Sequence, residues 1–98
     1  MVESNNSVKC DVDVKLPKNY SVILLNDDVT PMDVVVTVIM TVFKRGYDEA
    51  LRLTKEAHNN GESYIGLYTY DIASTKVLEA RKKASSYGCD LKFRVEEC

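Results

Sequence analysis

The junction at residues 26–33, "NDDVTPMD", constrains the fold more than any other stretch of this chain. Before it lies "YSVILL", a short β-branched and aliphatic run of the kind that forms a buried strand. After it lies "VVVTVIMTVF", equally β-branched, which by propensity alone reads as a second strand. The residues between the two runs argue otherwise. Thr30 is a good N-cap, Pro31 suits the first helical position, and Asp33 falls third, where a carboxylate can bond back to the cap. The junction therefore turns a strand into a helix, expected over 31–44.

Gly46 is expected to close that helix. In "YDEALRLTKEAH", Tyr47, Ala50, Leu51, Thr54, Ala57 and His58 recur at helical spacing, with Asp48, Glu49, Arg52, Lys55 and Glu56 opposite. "NNG" ends this second helix and "SYIGLYT" follows as a strand. Ala73, Val77, Ala80, Ala84 and Tyr87 mark a third helix over 71–87, stopped by Gly88. In "LKFRVE", Leu91, Phe93 and Val95 alternate with Lys92, Arg94 and Glu96, the pattern of a strand with one covered face. The order β-α-α-β-α-β predicts a single-domain α+β fold, a three-stranded sheet covered by helices on one face. Its core is expected over 20–98. Residues 1–19 are polar and then alternate through Val8, Cys10, Val12, Val14 and Leu16 before Pro17; a flexible N-terminal extension is expected there, with an edge strand as the alternative.

A chain of 98 residues builds one modest core, which favours a binding module over an enzyme. Its formal charge of -2 is spread among both signs without a basic stripe, so nucleic acid is excluded as a partner. Cys10, Cys89 and Cys98 match no zinc spacing and read as free thiols of a reducing compartment. The N-terminal residues lack the order of a signal peptide, and no apolar run is long enough to span a bilayer. A cytoplasmic location without membrane contact is expected, with a plastid-type organelle as the alternative if a transit peptide has been removed.

Two features exceed what a core requires: the Asn26-Asp27-Asp28 cluster and His58, the sole histidine. Each has a plain structural reading, the cluster as turn side chains bonding local backbone, His58 as a helix-end residue satisfied by a carbonyl. Yet if the second helix packs beside the first, His58 approaches the turn. The mixed set has no metal-ligand spacing, and no nucleophile motif or Gly-rich phosphate loop accompanies it, so no metal, cofactor or catalytic residue is expected. An amide oxygen, a carboxylate and a neutral imidazole nitrogen are all acceptors, which suits an ammonium group with three donors.

"NDDVTPMD", an apolar helix, a helix ending in "AH", then "GESYIGLYTYD", "TKV" and "LKFRVE" closely resemble the ClpS adaptor family from about Tyr20 to Val95. The resemblance implies an adaptor that recognises N-degrons, a free α-amino group plus a bulky first residue such as Leu, Phe, Tyr or Trp. Such adaptors pass substrates to a Clp AAA+ unfoldase of the ClpA or ClpC type. On this resemblance Asn26, Asp27 and His58 bind the α-amino group. Asp28 and Thr30 lie at the pocket mouth, with Thr30 open between that role and the helix cap. Met32, Val35, Thr54, Ala57 and Leu91 form the hydrophobic pocket, although composition alone would assign each to ordinary core. Asp71 and Lys76 contact the unfoldase's N-terminal domain, although in isolation they read as a helix-start carboxylate and a solvated lysine. Residues 1–19 would serve the handover. Thr54 and Ala57 are smaller than the Met and Val of many ClpS proteins, which implies a wider, slightly more polar pocket that shifts preference toward aromatic first residues or relaxes the exclusion of β-branched ones. At fold level the chain also resembles the C-terminal domain of the ribosomal stalk protein, so an interaction scaffold without N-degron binding is the alternative.

Overall fold

The computed structural model describes residues 18–98. Its elements run β1 (Asn19–Leu25), α1 (Met32–Val42), α2 (Tyr47–Asn60), β2 (Glu62–Thr69), α3 (Tyr70–Ser86) and β3 (Phe93–Glu97). The sheet order is β2-β1-β3, with β1 antiparallel to both neighbours. The expected order and strand count are therefore observed. The folded unit starts slightly earlier than expected, because Asn19 is already in β1, its carbonyl accepting from Cys98 N at 2.9 Å. Residues 1–17, which hold the rest of the expected extension, lie outside the described residues.

Val22 and Leu24 of β1 and Ile65 of β2 are buried beneath the helices, while Tyr64 and Leu67 on β2 are exposed. On the open face Arg94 pairs with Glu62 and Glu96 opposite Ile23, which is how that isoleucine stays buried on an otherwise solvated surface. The β1–β2 ladder carries a bulge where Val22 faces Gly66 and Ile23 faces Tyr64. Arg45, from the α1–α2 connection, donates to Ile65 O at the bulge and to Phe43 O, both at 2.9 Å. A Cβ at Gly66 would lie 2.7 Å from the Arg45 guanidinium and 2.9 Å from the Tyr68 hydroxyl, so a larger residue there would displace those side-chain ends.

Helix α1 forms against its propensity. A β-branched residue costs a helix at most about 0.7 kcal/mol, whereas burying a Val or Ile side chain contributes about 1.5–3; Val35, Val36, Val38, Ile39 and Val42 are all buried. Burial wins. Its ends differ from expectation. The helix spans Met32–Val42 rather than 31–44, its cap position is Pro31 with extended backbone, and no side chain bonds to the cap. Thr30 is not the N-cap, because the helix begins one residue later with Pro31 at that position; its hydroxyl donates to Asp27, and Asp33 accepts from Val34 N rather than reaching back. Gly46 does not close α1: Lys44, with φ 58, turns the chain, and Gly46 serves as the N-cap position of α2.

The inward face of α2 also shifts, to Ala50, Leu53, Thr54 and Ala57, leaving Tyr47 and His58 exposed and Leu51 half-buried. On α3, Ala73, Ala80 and Ala84 are buried as expected, Val77 is half-buried and Tyr87 is exposed. The last strand begins at Phe93, two residues later than its alternation suggested, and Leu91 is buried ahead of it.

Candidate functional site

Two main-chain bonds beyond the end of β1 gather the site. Leu25 N donates to Lys92 O at 3.1 Å, and Asn26 N donates to Gly61 O at 2.9 Å. The first brings the segment carrying Leu91 alongside β1; the second brings the C-terminal end of α2, and with it His58. The turn at 26–30 then leads into α1. Where these segments meet they enclose a cavity of about 370 Å3, walled by Leu24, Leu25, Met32, Val35, Thr54, Ala57 and Leu91 and rimmed by Asn26, Asp27, Asp28, Thr30 and His58. All ten residues expected at the amine site, mouth and pocket line this one cavity.

At the mouth Asp27 is half-buried and held by its own turn. Val29 N donates to its Oδ1 at 2.9 Å and the Thr30 hydroxyl to its Oδ2 at 2.5 Å. The Thr30 hydroxyl foremost, then the Val29 N–H, and more weakly the nearby Lys92 ammonium hold the Asp27 carboxyl below the usual carboxylate range. It is therefore an anion at neutral pH, with lone pairs left over for a further donor because a carboxylate accepts up to about four hydrogen bonds. Asn26 Nδ2 donates to Asp28 Oδ1 at 3.3 Å, leaving the amide oxygen as Asn26's acceptor. Asn26, Asp28 and His58 are exposed, whereas Thr30 is buried. The rim thus offers acceptors of the kinds an ammonium needs.

Below the rim the walls are apolar. Leu24, Val35, Ala57 and Leu91 are buried, and Met32 is 41% exposed at the opening. The Thr54 hydroxyl donates to Ala50 O at 2.8 Å, within its own helix. Its proton is committed there, so Thr54 offers the cavity no free donor, and the hydroxyl expected to need a partner when buried has one. Sequence reasoning missed Leu24 and Leu25 as walls, although their position directly before the cluster was a usable signal. It also missed Gly61 and Lys92, whose roles depend on long-range pairing.

Asp71 and Lys76 lie away from this cavity on α3. Asp71 is exposed in the first turn. Lys76 is half-buried rather than freely solvated: its ammonium donates to Val42 O at 3.0 Å and sits 6.0 Å above the Tyr68 ring. Cys89 and Cys98 are free thiols, and among the described residues no cluster of three or more His, Cys, Asp or Glu side chains is placed to hold a metal. No described helix is long and apolar enough to cross a membrane.

Fold and cavity together define a small α+β binding domain with a largely apolar-walled cavity bordered by hydrogen-bond acceptors. Residues 15–94 match the family described as ATP-dependent Clp protease adaptor protein ClpS. The ClpS adapter of Wolinella succinogenes is 44% identical over 91 residues, covering 93% of this chain and 89% of that protein. That of Acetivibrio thermocellus is 47% identical over 75 residues, 76% of each chain. A solved structure of Agrobacterium tumefaciens ClpS2 bound to L-phenylalaninamide superposes with a TM-score of 0.81 at 37% identity, covering 85% of this chain and all of that one. The chain belongs to the ClpS family of Clp protease adaptors, a family of adaptors rather than enzymes.

Proposed function

We propose that this chain captures N-degrons, the free α-amino group held at the rim and the first side chain in the cavity, and delivers the substrate to a Clp AAA+ unfoldase. The observation that carries this is Asp27, an anion fixed at the mouth of a cavity whose deeper walls are apolar. Asn26, Asp27 and His58 receive the ammonium; Asp28 and Thr30 flank the emerging peptide; Met32, Val35, Thr54, Ala57 and Leu91 surround the side chain. The ligand named for the ClpS2 neighbour, an amine bearing an aromatic side chain, has both halves of this chemistry. Burial of a Leu or Phe side chain contributes about 1.5–3 kcal/mol, and removing one partner of a desolvated charge pair costs about 2–5. Both halves are needed.

Asp71 and Lys76 are assigned to the unfoldase contact, with the N-terminal domain of a ClpA- or ClpC-type unfoldase as partner. A cytoplasmic location fits the bacterial origin of the relatives. Residues 1–17 are assigned to the handover. With Thr54 and Ala57 in the wall, peptides beginning with Ile or Val are expected to bind within about tenfold of Leu.

Fluorescence anisotropy with labelled peptides differing in their first residue, free or N-acetylated, tests the reading. Binding that needs a bulky apolar first residue, a free amine and Asp27 supports it. Binding indifferent to acetylation and to Asp27→Ala would return the chain to the scaffold alternative, and a hundredfold gap between Leu and Ile would refute the breadth assigned to Thr54 and Ala57.

A further inference from the structure

We infer that Gly61 is a positioning residue for the amine site, setting where His58 stands relative to Asn26 and Asp27; the inference rests on the N-degron reading above. Gly61 ends α2 in the left-handed region, φ 93, and its N–H donates to Ala57 O at 2.9 Å, closing the helical turn that carries His58. Its carbonyl accepts from Asn26 N at 2.9 Å, and the next residue, Glu62, opens β2 opposite Leu25. One residue is thus bonded through its amide to the turn bearing the imidazole and through its carbonyl to the first residue of the acceptor cluster. Among the described residues no other main-chain hydrogen bond outside the regular elements joins α2 to the 26–30 turn. His58 is exposed, and the backbone of its turn determines where its Cβ stands.

The bond from Asn26 N depends on the left-handed conformation, which sets the direction of the Gly61 carbonyl. A residue with a Cβ resists that conformation, asparagine least among them. Space is not the constraint, because nothing lies within 4 Å of a Cβ built at Gly61. Gly61→Ala has room for its methyl and acts through φ alone, swinging the carbonyl from Asn26 or straining the turn. Gly61→Asn preserves the conformation.

The test is a double-mutant cycle. Wild type, Gly61→Ala, Gly61→Asn, His58→Ala and the Gly61→Ala/His58→Ala pair are titrated against a labelled peptide with a free N-terminal Phe, after thermal melts show each variant folded at the assay temperature. Gly61→Ala is expected to weaken binding about tenfold, the strain of a left-handed alanine expressed in affinity. Gly61→Asn is expected to stay close to wild type. In the His58→Ala background the Gly61→Ala loss is expected to shrink to the part that acts through Asn26, since there is no longer an imidazole to place. Additive losses, or a Gly61→Asn variant as weak as Gly61→Ala, overturn the inference while leaving the N-degron reading standing. Failure of wild type to bind the free-amine peptide overturns that reading, and the inference with it.

Discussion

Both oxygens of Asp27 are engaged by the turn that carries them, and the same two donors that orient the carboxylate keep it ionised. Its folded-state pKa is depressed, so the stability it contributes is present above the unfolded value, about 3.9 for aspartate, and is lost as pH falls through the lower folded value. Denaturant titrations of wild type and Asp27→Asn are expected to show a constant stability gap from pH 7 to about 4 that closes only at more acid pH. A gap that closes between pH 7 and 5 would contradict the depression. Thr30 was legible as a residue with two candidate uses, the helix cap and the pocket mouth, but its bond to Asp27 was not legible in local spacing. The cap position fell to Pro31, and the Thr30 hydroxyl donates to the Asp27 carboxylate three residues back.

Among the elements, α1 shows where local rules stop. Its start was readable from Thr30-Pro31-Met32-Asp33 to within a residue, while its stop was not, because Lys44 rather than Gly46 takes the positive φ. With no basic residue in its last turn, α1 receives its C-terminal cations from elsewhere in the chain, Arg45 on Phe43 O and Lys76 on Val42 O. No sequence period announces a lysine that reaches from the third helix to the end of the first. Lys76→Met is expected to cost about 1–2 kcal/mol and to speed hydrogen exchange in the last turn of α1. Unchanged stability and exchange would mean the ammonium does not hold that turn. The face of α2 was misread for a related reason: Leu51 and Leu53 fit helical patterns equally well, and the packing of α2 on β2 and α1 selects Leu53.

In the whole molecule the cavity exists because β1 is central, with α2's end bonded to one side of its last residues and the Leu91 segment to the other. The residues of each segment could be named from the sequence, chiefly through a resemblance carried by a contiguous motif. The bonds that bring the segments together could not, since Asn26–Gly61 and Leu25–Lys92 are pairings across the sheet's end with no local signal. Because the cavity is built wholly within 24–91, removing residues 1–17 is expected to leave peptide affinity unchanged while abolishing delivery of a model substrate to the unfoldase. Weakened peptide binding by the truncated chain would contradict this division of labour.

The most direct measurement of ligand capture is an NMR titration of the 15N-labelled chain with L-phenylalaninamide and, separately, with its N-acetyl derivative. Saturable shifts of the amides at Asn26, Asp27, Asp28, Thr30, His58 and Leu91 with the free amine, and none with the acetylated compound, are predicted. Equal shifts with both compounds, or shifts confined to α3, would contradict the assignment of this cavity to an N-terminal amine.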